Sequence, residues 1–90
     1  MLRAAPGTQF RRDTKRAEKR GKDMSKLRAL VLLLLEQQPL PAKYRDHALK
    51  GEWSGLRDVH IEPDWLLIYY VEGDELHLVR TGTHADLFDE

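Results

Sequence analysis

A change of hydrophobic period partway along the chain constrains its fold more than any other feature. From Met24 to Leu35 apolar residues recur at helical spacing, and Met24, Leu27, Leu30, Val31, Leu34 and Leu35 form one stripe. From Leu56 the period falls to two. Leu56–Ile61 alternates, Pro63-Asp64 is a turn, and Trp65–Val71 is apolar on both faces. Gly73-Asp74 is a hairpin turn, and Leu76–Thr81 is the returning strand. Short connections between successive strands imply antiparallel pairing. The pattern predicts an α+β layer, with two N-terminal helices packed on one face of a small antiparallel sheet.

The remaining elements follow from local signals. Thr8 is the expected N-cap of a first helix over Gln9–Arg20, basic and polar except for Phe10 and Ala17. Gly21 closes it, and Asp23 or Ser25 opens a second helix reaching Gln37. Leu32 and Leu33 widen the apolar stripe of that helix; either they help to seat a partner or, as expected here, they are buried in the small core. Met1–Ala5 can form only a short strand before Pro6-Gly7. Pro39-Leu40-Pro41 ends the second helix, and Ala42–Ser54 reads as an ordered linker. Ninety residues hold one domain, spanning 1–90. The absence of cysteine excludes disulfides and thiolate metal sites. The longest apolar run, Ala29–Leu35, is far short of the roughly 20 residues of a membrane span. It also lies too deep in the chain to be a signal peptide. A cytoplasmic protein without membrane contact is the expectation.

The formal net charge of zero conceals a division. Residues 1–50 carry thirteen Lys and Arg against five acids, whereas residues 51–90 carry two against ten. The basic half can attract phosphate or an acidic partner, but by itself it specifies no chemistry.

Chemistry requires titratable groups held together, and the meander provides the place. Pairing brings the end of Leu56–Ile61, the start of Trp65–Val71 and the end of Leu76–Thr81 to one edge. His60, Asp64, Trp65, Arg80 and His84 converge there, and His47 arrives from the linker. Cutting RNA without a metal needs a base for the ribose 2′-OH, an acid for the leaving 5′-oxygen and a cation for the phosphorane. Histidine serves either proton role near neutral pH. Asp64 is a base or orients a histidine, Arg80 offers a planar fork for phosphate, and Trp65 or Phe88 offers a face for a base. The same side chains have other uses. His60 with Asp64, or His84 with Asp86, can be read as metal ligands, though neither has a strong spacing signature. Trp65 can be core, and Arg80 can pair with a nearby acid. His77 reads as an exposed strand residue.

Three blocks of sequence carry a resemblance. Residues Leu40–Asp58, His60–Tyr69 and Arg80–Phe88 resemble the YafQ branch of the RelE/ParE toxin superfamily, in order and at matching spacing. The likeness implies a RelE-like microbial ribonuclease fold and an endoribonuclease that cleaves messenger RNA at adenine-rich codons in the ribosomal A site. It implies a DinJ-type antitoxin with a ribbon-helix-helix part, and the 70S ribosome and mRNA as further partners. No cofactor and no metal ion are implied. His84 and Asp64 would lead proton transfer, His47 and His60 would assist, Arg80 would steady the phosphate, and Trp65 and Phe88 would shape the base pocket. Ala4–Gly7 departs from the family's alternating first strand. The acidic tail Asp86–Glu90 is expected to crowd negative charge near the phosphate, so that the basic helices grip ribosomal RNA and free RNA is a poor substrate. A ParE-like gyrase inhibitor and a basic nucleic-acid-binding module are the alternatives. The first has no need of this histidine set, and the second leaves it without a purpose.

Overall fold

The computed structural model describes residues 1–89. In chain order the elements are β1 (Arg3–Pro6), α1 (Thr8–Lys19), α2 (Met24–Leu35), β2 (His47–Ala48), β3 (Arg57–Glu62), β4 (Trp65–Glu72), β5 (Glu75–Gly82) and α3 (His84–Phe88). Two 3₁₀ turns, Ala42–Tyr44 and Gly51–Trp53, flank β2. The β3–β4–β5 meander is antiparallel as its short turns require.

The sheet is larger than that meander, and mixed. Its order is β1-β5-β4-β3-β2, with β1 parallel to β5 and β2 antiparallel to β3. The weak first strand forms because an edge position asks little of it. Leu2 is buried and its N–H donates to the Leu35 carbonyl, while Gly7 N–H continues the bonding past Pro6 to Leu78. Pro6 lacks a donor, which an edge strand tolerates. The second departure is β2, two residues inside the expected linker. Asp46 anchors that segment by accepting from Arg57 Nε at 3.0 Å and from the buried Tyr69 hydroxyl at 2.9 Å.

Both helices pack on one sheet face. Phe10, Ala17, Leu27, Leu30 and Leu34 meet Val59, Trp65, Leu67, Tyr69, Leu76 and Leu78 there. Gly7 is the N-cap of α1 and Thr8 its first residue, and Asp23 caps α2 by accepting from Ser25 N–H. The helix ends at Leu35 rather than Gln37, which takes a positive φ of 54°. Leu33 is half-buried, but Leu32 is 50% exposed, because the sheet reaches only one side of the helix. The opposite sheet face carries a smaller apolar cluster of Leu66, Ile68 and Leu87, with Leu49, Trp53, Leu56, Val79 and Phe88 packed against it. This explains why β4 is apolar on both faces.

Ion pairs join the two halves of opposite charge. Arg80 meets Asp13, Arg20 meets Asp86, and Lys22 and Lys26 share Glu62. Part of the charge asymmetry therefore holds α1 and α2 onto the sheet.

Candidate active site

Three imidazoles stand in a row. The ring centroids of His47 and His60 are 6.1 Å apart, those of His60 and His84 5.7 Å. Each ring comes from a different element: β2, β3 and the first residue of α3. Phe88 extends the row, 6.4 Å from His84, and packs edge-on against Trp53 at 5.4 Å.

Each outer ring is oriented by an acceptor. His84 Nδ1 donates to Asp64 Oδ1 at 2.6 Å, and His84 backbone N–H donates to the same oxygen at 2.9 Å. These two bonds, the backbone one first, hold the Asp64 carboxyl below its ordinary pKa. Asp64 in this arrangement orients a histidine, one of the two roles open to it from sequence. At the other end, His47 Nδ1 donates to the Arg45 carbonyl at 2.7 Å, so its Nε2 is turned toward Asp58, 3.6 Å from Oδ2.

Asp58 is the residue that sequence reasoning passed over. It sits in β3 two positions before His60 and is only 3% exposed, beneath the histidines. Burial raises its pKa, and the three histidines oppose that shift. Burial lowers the pKa of His60, which favours the neutral ring, and Asp58 opposes. Asp58 Oδ1 and His60 Nδ1 are buried without a hydrogen-bond partner. Such atoms cost stability, and sites tolerate them better than packing does. The i, i+2 spacing on one strand face was the available signal.

Two expectations change. Trp65 is 1% exposed, on the helix side of the sheet, so its ring is not open to a nucleobase. Its Nε1–H donates to Thr81 Oγ1 at 3.0 Å, and that hydroxyl donates to the Leu66 carbonyl at 2.6 Å. Trp65 thus ties the start of β4 to the end of β5, which brings Asp64 and His84 within reach of each other. Arg80 does not offer its whole fork. Its Nε and Nη2 donate to Asp13 at 2.8 and 3.3 Å. Asp13 is a fully buried α1 carboxylate that also accepts from Arg16 Nη2, Gln9 Nε2 and Thr81 N–H.

The tail also behaves otherwise than expected. Asp86 accepts from Thr83 N–H while Thr83 caps α3, a reciprocal box at the helix start. Arg20 Nη1 meets it at 2.7 Å and Arg16 lies 3.7 Å away, so its charge is held against α1 and its carboxyl is driven well below the usual range. Glu90 lies outside the described residues. His77 is half-buried and stacked on Tyr70 at 4.4 Å, apart from the row. Among the described residues the group best arranged to hold a cation is His47, Asp58 and His60, with ligand atoms within 4.8 Å of one another. Neither pair considered from sequence is that group.

Comparison with known proteins defines the class. The chain is 54% identical over 81 residues to the mRNA interferase toxin YafQ of Escherichia coli K12, covering 89% of this chain and 88% of that protein. The crystal structure of YafQ from E. coli BL21(DE3) superposes with a TM-score of 0.92 at 48% identity, covering 98% of this chain and 99% of the other. The toxin chain in the E. coli DinJ–YafQ complex matches with a TM-score of 0.89 at 49% identity and the same coverage. The fold is that of a small bacterial toxin from a type II toxin–antitoxin system. Within that class the chain belongs to the YafQ toxin family, whose model matches residues 2–89.

Proposed function

We propose that this toxin is an endoribonuclease that cuts messenger RNA in the ribosomal A site, at adenine-rich codons, by acid–base chemistry without a metal ion or cofactor. Family membership supports the endoribonuclease activity, since the E. coli relative is named an mRNA interferase. The observation that carries the mechanism is the row of three histidines with opposed environments. Burial keeps His60 neutral and able to accept the 2′-OH proton. The freed 2′-oxygen attacks the adjacent phosphorus. The P–O5′ bond breaks, and the leaving oxygen takes a proton from His84, whose cationic ring is steadied by Asp64. The products are a 2′,3′-cyclic phosphate and a 5′-hydroxyl end. His47 stands beside the pair, its ring stacked on that of His60. Arg80 contributes the nitrogen that Asp13 leaves free, and the half-buried Phe88 borders the base.

A DinJ-type antitoxin is the proposed neutralising partner, by likeness to the E. coli complex. The exposed cations Arg11, Arg12, Lys15 and Lys19 on α1, unpaired among the described residues, are the proposed grip on ribosomal RNA. The toxin's action is placed in the cytoplasm, where messenger RNA is translated. Primer extension on transcripts after induction tests the reading. Codon-phased cuts support it, whereas intact messages with DNA damage would favour a gyrase-type toxin.

A further inference from the structure

Next to the histidine row lies an open groove of about 570 Å³. One wall is α2, with Lys26 and Ala29, and the other is the turn Lys43-Tyr44-Arg45. The end of β3 also lines it, and His60 there is shared with the catalytic row.

The charge on these walls is uneven. Lys26 is paired with Glu62 at 2.9 Å, and Lys22 reaches the same carboxylate, so both ammonium groups of that corner are already engaged by an acid. Lys43 and Arg45 are exposed, and neither is in an ion pair among the described residues. Lys43 Nζ lies 5.2 Å above the Tyr44 ring, which holds the ammonium at the wall. Arg45 has a left-handed backbone, φ 48° and ψ 43°, which is strained for a residue with a side chain. That conformation turns its carbonyl onto His47 Nδ1. One strained residue therefore both orients a ring of the site and carries an unpaired cation beside it.

We propose that this groove is a subsite for the phosphodiester backbone of RNA flanking the cut bond, with Lys43 and Arg45 as its phosphate ligands. The proposal rests on the catalytic reading above, since a strand leaving the His60–His84 pair on this side runs into the groove. The groove has the volume of a nucleotide-sized pocket, within the usual range of about 300–1,000 Å³. Its charge suits a polyanion of any sequence, so it adds affinity and register rather than codon choice. Beyond the other end of the row stands the Phe88–Trp53 pair, so the strand would pass from aromatic to cationic contacts.

The test is the full-length Lys43→Gln/Arg45→Gln variant, with Lys50→Gln as a control for an exposed cation outside the groove. Cleavage of ribosome-bound message is followed as KM and kcat across salt. Binding of a short adenine-rich RNA and of empty ribosomes is measured in the His84→Gln background, which keeps the RNA intact. The expected result is a KM raised on the order of tenfold with kcat held within about twofold. The slope of log KM against log salt falls by about 1.4, at 0.7 per lost single-strand phosphate contact, and Lys50→Gln matches the parent. Weaker binding to the short RNA assigns the groove to the message. Weaker binding to ribosomes alone would place those phosphates on ribosomal RNA and overturn the assignment to the strand flanking the cut bond. Unchanged KM and slope overturn the proposal, as does a variant whose only defect is weaker capture by the antitoxin, which would make the groove a protein-docking face. A His84→Gln protein that still cuts would sink the catalytic reading instead, so the two failures are separable.

Discussion

His84 and Asp64 are joined twice through one oxygen, by the ring Nδ1 at 2.6 Å and by the backbone N–H at 2.9 Å. The pair fixes the ring's tautomer and leaves Nε2 for chemistry. Asp64→Asn keeps an oxygen for the backbone bond but removes the charge that stabilises a protonated ring. Its kcat is expected to fall while KM holds, and His84→Gln is expected to lose about 10²–10⁴ in kcat. Single-turnover cleavage of ribosome-bound message measures both. An Asp64→Asn protein with parental kcat would show that the carboxylate has no electrostatic role.

Trp65 separates a packing role from a base-stacking one. Trp65→Phe retains an aromatic ring but loses the bond to Thr81 Oγ1, a loss of about 1 kcal/mol. Trp65→Ala is expected to cost about 3–5 kcal/mol. Denaturant melts read the stability, and KM for message should not move in Trp65→Phe. A raised KM at unchanged stability would return Trp65 to the base pocket.

The acid limb of the pH profile belongs to His60. Its pKa is lowered by burial and partly restored by Asp58. Because the neutral ring is the base, kcat/KM should rise through a pKa below the ordinary 6.5 or so. Replacing Asp58 with Asn removes the charge that favours the protonated ring, so the limb should move to still lower pH. A limb that stayed in place or moved upward would place the titration on another group.

Gly82 joins β5 to α3 at a point with no room for a side chain. A Cβ there would lie 2.9 Å from both Cβ and Oδ2 of Asp86. Gly82→Ala should therefore displace the α3 cap and loosen the His84–Asp64 pair, lowering kcat more than it lowers stability. The His84 imidazole NMR shifts report that displacement directly. Parental shifts and rate would mean that α3 accommodates the methyl group.

The legible and the illegible parts of this molecule divide along physical lines. The meander and α2 were readable because apolar residues repeat at the period of each element over many residues, and the turns at Pro63-Asp64 and Gly73-Asp74 have their own chemistry. The approach of His60, Asp64 and His84 followed from strand pairing alone. β1 and β2 were underread because edge strands of two to four residues are held by backbone bonds and by partners such as Asp46, which leave no periodic trace. Asp13 and Asp58 were invisible for a related reason. A carboxylate in a basic helix or a polar strand looks solvated until distant partners arrive, Arg80 for Asp13, and His47 and His84 beside the neighbouring His60 for Asp58. Burial of Trp65 rather than Phe88 depended on which sheet face the helices chose, and β4 is apolar on both.

Mapping of the cut ends most directly tests whether the histidine row cleaves message. Wild type and His84→Gln are induced side by side, and transcript ends are mapped with their end chemistry. The expected result for wild type is codon-phased cuts bearing 2′,3′-cyclic phosphate and 5′-hydroxyl ends, absent from His84→Gln at equal protein level. Equal cutting by both proteins, or cuts bearing 5′-phosphate, would contradict acid–base cleavage by this row.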